Sequence, residues 1–171
     1  AEPDYKLHAA ITPNDPHFLS GLQWSLRNSS TGRDIHAPEA WDVATSASNI
    51  VVAVIDTGIR YTHEDLAANM WRNPGETPNN GIDDDNNGYV DDVYGIDTII
   101  TSGDPMDDGD HGTHVAGIIG AVGNNSKGIA GVAWKVKLMA CKFLDSNGDG
   151  DTSDAIESID YARRMGAHIL N

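Results

Sequence analysis

The chain has almost no cysteine, few basic side chains and no long apolar run, and each shortage closes off a class of protein. Its one cysteine among 171 residues, Cys141, excludes an internal disulfide. That residue sits in the apolar stretch Val136 to Phe143, which reads as a strand, so its thiol is expected to be packed rather than reactive. The 11 Lys and Arg stand against 26 Asp and Glu, a net charge of -15, which repels nucleic acid and anionic membranes and attracts divalent cations. No apolar run reaches the roughly 18 residues that a membrane span needs, and Ala1-Glu2-Pro3 opens the chain without a signal-peptide pattern. What is present, 39% apolar residues over this length, suffices for one globular domain with a buried core.

Pro3, Pro13, Pro16 and Pro38, with little periodicity between them, suggest an extended arm over residues 1–40. Ala37 to Ala44 reads as a short helix with Pro38 in its first turn. Asn49 to Ile55 is nearly all apolar and β-branched, as in a strand buried on both faces of a parallel sheet. Asp56 then falls at the carboxyl end of that strand, where open α/β sheets bind ligands. Residues 69–92 form a Gly/Asn/Asp-rich loop, and Val93 to Ile100 returns as a strand. His111 to Ala121, small and apolar on most faces, suits a helix at the centre of the domain. Ile156, Ile159, Ala162 and Met165 carry amphipathic helical spacing, with Asp154 and Glu157 at capping-box spacing and Gly166 as the stop. Ala167 to Leu170 starts another strand, and the alternation predicts an α/β fold, a parallel β-sheet flanked by helices.

Two short runs carry the chemistry, Val54-Ile55-Asp56-Thr57-Gly58 and His111-Gly112-Thr113-His114-Val115-Ala116-Gly117. A serine or cysteine nucleophile needs a neutral imidazole as base, and that imidazole needs a buried carboxylate to fix its tautomer. Asp56 and His111 suit those roles, and a helix dipole at His111 would help keep the ring neutral. Zinc on His111 and His114 lacks the Glu of the metalloprotease pattern.

Both runs resemble the aspartate and histidine signatures of the subtilisin-like serine peptidases, the subtilases. Asn14-Asp15-Pro16, Ala40-Trp41-Asp42, His63-Glu64-Asp65-Leu66, Asn124 to Ala133 and Tyr161-Ala162 resemble the thermitase branch in the expected order, so the resemblance covers most of residues 12–171. It implies a subtilisin-like three-layer α/β/α fold, with Asp56 orienting His111 and His111 acting as general base and acid. It also implies that His114 is a packed helix residue, and that Gly148, Asp149 and Gly150 form an extended edge pairing with substrate backbone. The charges of Asp149 and Asp151 would favour basic substrate side chains nearby.

The family's serine signature, Gly-Thr-Ser-Met-Ala, and its later oxyanion Asn have no counterpart here, while Ser102, Ser126 and Ser146 lie in turns and loops. The chain stops at Asn171, inside an expected strand, where a sheet edge would be left open. Residues 12–171 are therefore read as the N-terminal part of a peptidase domain, inactive alone, whose nucleophile comes from a C-terminal part. Residues 1–11 are read as a propeptide tail, since Ala1-Glu2-Pro3-Asp4-Tyr5 resembles the last strand of a subtilase propeptide, or else as a plain extension.

Calcium is the expected cofactor. Asp83, Asp85, Asn87, Tyr89, Asp91 and Asp92 surround Gly88 in a loop like that of an EF-hand, except that Tyr94 stands where the bidentate Glu would be. Carboxylates so crowded repel one another without a cation. Asp145, Asn147, Asp149 and Asp151 repeat the pattern and share residues with the substrate edge. By resemblance alone, Asp15, Asp65 and Asn125, with the carbonyls of Val122, Lys127 and Ile129, form a third site that staples the arm to the domain. Two or three Ca2+ sites suit a secreted protein, because extracellular calcium is millimolar.

The resulting expectation is a secreted, calcium-stabilised serine endopeptidase acting on protein or peptide substrate, with its C-terminal part and a propeptide as further partners. Two alternatives stand beside it. Asp56-Thr57-Gly58 also fits aspartic peptidases, which need two such motifs or a dimer. A calcium-binding pseudopeptidase or scaffold module would keep Asp56 and His111 without a nucleophile.

Overall fold

The computed structural model describes residues 11–171, so the propeptide reading of residues 1–11 falls, Ile11 apart, outside the described residues. Two short helices come first, α1 (Pro16–Leu19) and α2 (Ala37–Trp41), each with proline at its start, where a missing N–H costs no hydrogen bond. The segment that carries them is not the plain extended arm expected. Phe18, Leu26, Ala37 and Trp41 bury together against Ala130 and Trp134, and the Gln23 amide closes on both backbone groups of Ala130.

There follow β1 (Ser46–Asp56), a 3-10 turn (Ala67–Asn69), β2 (Gly95–Asp97), α3 (His111–Gly120), β3 (Lys135–Lys142), α4 (Thr152–Arg164) and β4 (Ile169–Leu170). The strands run parallel in the order β2-β3-β1-β4. Side chains alternate across a strand, and that alternation builds the layers. Val52, Val54, Val136, Leu138 and Ala140 pack with Ala116 and Ala121 on one side of the sheet. Val51, Ala53, Met139 and Cys141 meet Tyr161 and Ala162 on the other. Helix α3 thus covers one face and α4 the opposite one, which is the expected three-layer α/β/α arrangement. Each Val, Leu or Met side chain fully buried in this way contributes about 1.5–3 kcal/mol.

Register sets the functional edge. Asp56 and Asp97 pair with Lys142 from opposite sides, so β1, β2 and β3 end level. The expected strand Val93 to Ile100 shortens to Gly95–Asp97, because Asp97 exchanges backbone hydrogen bonds with Ser102 and the chain turns back.

Helix α4 also departs from expectation. It starts at Thr152 behind Asp151, whose side chain makes no cap bond, so Asp154 is a first-turn residue and not half of a capping box. Its buried face is Ser158, Tyr161 and Ala162, while Ile156 and Ile159 are exposed. The helical period passes equally well through both sets, and the Tyr161 ring fills the space against the sheet. Gly166 ends the helix as expected, with φ +80° and the following Ala167 N–H closing on the Ala162 carbonyl at 2.9 Å.

Gly95 has φ +133°, and an added Cβ would lie 1.8 Å from the Ala140 carbonyl oxygen, whereas Gly21 (φ +79°) faces open space. Gly95→Ala is therefore expected to lower stability by about 2 kcal/mol more than Gly21→Ala, read from urea unfolding midpoints of the two variants.

Candidate active site

The level strand ends bring Asp56 against the first residue of α3. Asp56 is 8% exposed, while the His111 side chain is 68% exposed. The imidazole Nδ1 lies 2.8 Å from Asp56 Oδ1 and 3.0 Å from Oδ2, and Oδ1 also accepts the Thr57 N–H at 2.7 Å. A carboxylate on Nδ1 keeps the ring proton there and leaves Nε2 as the basic nitrogen. The approach depends on glycine: a Cβ on Gly112 would lie 2.1 Å from the Gly58 carbonyl oxygen.

The proton affinity of His111 is raised, first by the hydrogen bond it donates to Asp56, then by that residue's charge, with Asp107 adding to it. These contributions outweigh the desolvation that opposes the charged ring, so the ring is not depressed as the sequence suggested. His114 is exposed rather than packed, because α3 turns Gly112, Ala116 and Gly120 toward the sheet and His111, His114 and Ile118 away from it. Asp56 meets an imidazole here and not a second carboxylate.

Thr57, Gly109, His111, Leu144, Ser146, Asn147 and Gly148 line a groove of about 320 Å³ beside the pair. Of the expected substrate edge, Gly148 lines it. Gly150 packs behind, where an added Cβ would lie 2.1 Å from the Phe143 carbonyl oxygen. Asp149 is exposed and its carbonyl accepts the Asp145 N–H at 2.8 Å. Leu144, and the groove position of Ser146, escaped the sequence reading because these residues belong to no motif and come beside His111 only through the end of β3.

Among the described residues, the acids of the same loop form no group whose oxygens converge within 4.8 Å. Asp145 Oδ1 accepts the N–H groups of Asn147 at 2.8 Å and Asp149 at 3.0 Å, and those bonds hold its carboxyl below the ordinary carboxylate range. Asp145 and Asn147 therefore shape a tight turn, Asp149 lies on its exposed side, and Asp151 stands at the entry to α4.

The earlier acidic loop behaves differently. Glu76, Asp83 and Asp85 bring oxygen atoms within 4.8 Å of one another, the one such acidic group among the described residues. Glu76 Oε1 accepts the Asp84 N–H at 2.9 Å, while Oε2 is buried with no partner. Burial pushes the Glu76 carboxyl up, and the charges of Asp92 and Asp85 add to that push. Glu76 was missed in the sequence because it precedes the acidic run 83–92 and lies outside its alternating pattern. Asp91 and Asp92, expected as ligands in the same loop, stand outside that converging group. Asp91 accepts the N–H groups of Asn80 and Gly81, and the fully buried Asp92 accepts from Asn73, Asn87 and Tyr161. The Asn87 side-chain oxygen takes the N–H of Tyr89, whose ring packs edge-on against Tyr161.

A second unpartnered carboxylate oxygen sits under the N-terminal segment. Asp15 is 0% exposed, with Oδ2 accepting the Asn124 N–H at 2.7 Å and Oδ1 buried without a partner. Burial raises its pKa, and the nearby charge of Asp65 raises it further. Asp65 takes the Asn125 amide and the Ile129 N–H. Among the described residues, no hydrogen bond ends on the carbonyls of Val122, Lys127 or Ile129.

Residues 47–171 match the Subtilase family. The chain belongs to that family. Subtilisin-like protease 1 of Plasmodium falciparum is 48% identical over 163 residues, which cover 93% of this chain and 23% of that protein. Thermitase of Thermoactinomyces vulgaris is 35% identical over 160 residues, covering 94% of this chain and 47% of that one. The solved structure of a protease from Pseudoalteromonas arctica superposes with a TM-score of 0.64 at 33% identity, over 87% of this chain and 43% of the other. This subtilase chain thus spans between about a quarter and a half of the relatives it matches. Both Asp56 and His111 lie inside the family match, and Asp15 lies before it.

Because folding raises the His111 midpoint, the protonated ring stabilises the fold fully below its ordinary pKa, and this contribution is lost as pH rises through the raised midpoint. Asp56→Asn is expected to lower the midpoint and flatten that dependence. NMR titration of the imidazole, with thermal melts from about pH 5 to 9, checks both.

Proposed function

We propose that residues 12–171 form the N-terminal part of the catalytic domain of a secreted serine endopeptidase. In this reading Asp56 orients His111, and His111 takes the proton from a serine supplied outside these residues and returns it to the leaving amine. The carrying observation is the 2.8 Å contact from His111 Nδ1 to the buried Asp56 carboxylate. The imidazole partner of Asp56 favours this reading over the aspartic-peptidase one, in which a second carboxylate would share the proton. Substrate backbone would lie along the groove at Leu144 to Gly148, with the scissile carbonyl near His111 Nε2. Residues 1–171 alone would be inactive, since they lack the nucleophile.

His111→Ala in the complete peptidase is expected to lower kcat by at least about 10^4-fold, and a serine-directed phosphonate to label one residue outside 1–171. Peptide hydrolysis by residues 1–171 alone, or full activity in His111→Ala, would contradict the assignment.

Calcium stabilisation belongs to the same reading. The donors fit a hard divalent cation, because each proposed site holds a buried carboxylate oxygen that no protein donor reaches, Glu76 Oε2 at one and Asp15 Oδ1 at the other. Glu76, Asp83 and Asp85, with oxygens of Asn87 and Tyr89, would hold one ion. Asp15, Asp65 and Asn125, with the carbonyls of Val122, Lys127 and Ile129, would hold the second. The ion would neutralise crowded carboxylates and tie the N-terminal segment to the 122–129 loop. Residence in a calcium-rich extracellular medium follows from sites of this kind.

Calcium at about 100 times Kd should add about 2.7 kcal/mol per site, seen as a rise in Tm that chelator removes. Asp15→Asn and Glu76→Gln are each expected to raise the metal-free Tm, by removing an unpaired buried charge, and to shrink the calcium response. A Tm indifferent to calcium and chelator would remove the metal claim.

A further inference from the structure

The turn after Asp56 and the first turn of α3 are joined a second time, below the Asp56–His111 bond, by one side chain. Asp107 Oδ1 accepts the Thr57 hydroxyl at 2.8 Å and the Gly109 N–H at 2.9 Å. Its Oδ2 accepts both the N–H and the hydroxyl of Thr113. The Thr57 oxygen in turn accepts the Gly112 N–H at 2.9 Å, and the Thr113 oxygen accepts the Arg60 N–H at 2.9 Å. The residue directly after Asp56 and the two directly after His111 therefore hang on the same carboxylate.

Helix α3 needs this support, because its own N-cap residue, Asp110, lies at φ 64° and makes no side-chain cap bond. Burial opposes the charge of Asp107, yet the donors of Thr113, Gly109 and Thr57 outweigh it and hold the carboxyl below its ordinary range. The acid is thus ionised across the working range and serves as a fixed multi-point acceptor.

We propose that Asp107 is the positioning residue that holds the Asp56 turn and the first turn of α3 in register, so that the Asp56–His111 hydrogen bond forms. This rests on the reading of Asp56 and His111 as catalytic. The other flank of the turn is held independently: Lys142 Nζ donates to the Thr57 carbonyl at 2.9 Å, the Leu144 carbonyl at 2.7 Å and Asp108 at 2.7 Å. The backbone path therefore survives the loss of Asp107, and what goes is the fine placement of His111. The charged groups on the elements around the imidazole are Asp56 on β1, Asp107, Asp108 and Asp110 before α3, Lys142 on β3 and Asp145 beyond it. Of these, Asp56 and Asp107 raise its proton affinity.

The test is Asp107→Asn in the complete peptidase. The expected result is a kcat about 10- to 100-fold lower with KM within about twofold, and an acid limb of kcat/KM displaced to lower pH. A fall in Tm alone, with kcat and the acid limb unchanged, would overturn the proposal. Thr113→Ser and Thr113→Val, at the other hydroxyl that donates to Asp107, give a second reading should Asp107→Asn not fold. The serine hydroxyl should preserve kcat and the valine lose it as Asp107→Asn does, and equal kcat in the two would refute the relay. His111→Ala separates the layers of the account: activity retained there defeats the catalytic reading itself. Activity abolished in His111→Ala but intact in Asp107→Asn defeats the positioning role alone.

Discussion

The hydrogen bond between Asp56 and His111 depends on a close approach that very few side chains would permit. Parallel register ends β1 and β3 level at Asp56 and Lys142, and α3 begins directly over that edge. Gly112 lets the helix start rest on the Gly58 carbonyl, and a Cβ on Gly58 would in turn lie 2.5 Å from the Pro105 carbonyl oxygen. Three backbone segments thus meet where any larger residue would wedge them apart. The sheet supplies the rigid base, with Val52 and Val54 facing α3 and Val51 and Ala53 facing α4. A subtilase site built on strand ends inherits the stiffness of that core.

The second constraint is electrostatic. A chain of net charge -15 must place many carboxylates close together, and the structure handles them in two ways. Asp92, Asp107 and Asp145 are surrounded by N–H and O–H donors, and each holds a turn or a helix end in place. Asp15 and Glu76 keep a buried oxygen with no donor, a costly arrangement unless a cation completes it. Tyr161 ties the acidic loop to the core, since its hydroxyl reaches Asp92 while its ring fills the space under α4.

Much of this was legible in the residues, and the remainder fails for identifiable reasons. Asp56 and His111 lie in short local runs, and the β-branched stretch before Asp56 placed it at a strand end, which is where it stands. Alternation of strand and helix was enough for the layer order. Composition could not separate Asp83 and Asp85 from Asp91 and Asp92, because all four share one acidic stretch and only the tertiary approach of Glu76 to the first two divides them. Glu76, Asp107 and Lys142 were invisible because their partners are distant in sequence or belong to no pattern. In α4 the expected Ala162 is buried and Met165 packs against the core, whereas Ile156 and Ile159 face out because Tyr161 takes the inward position.

The central claim is that Asp56 fixes the proton of His111 on Nδ1 and frees Nε2 as a base. Measuring the imidazole tautomer by 15N NMR, above the raised midpoint, tests it most directly. The account predicts a neutral ring protonated at Nδ1, with a strongly downfield Nδ1 proton that disappears in Asp56→Ala. A ring protonated at Nε2, or an Nδ1 proton indifferent to the loss of Asp56, would contradict it.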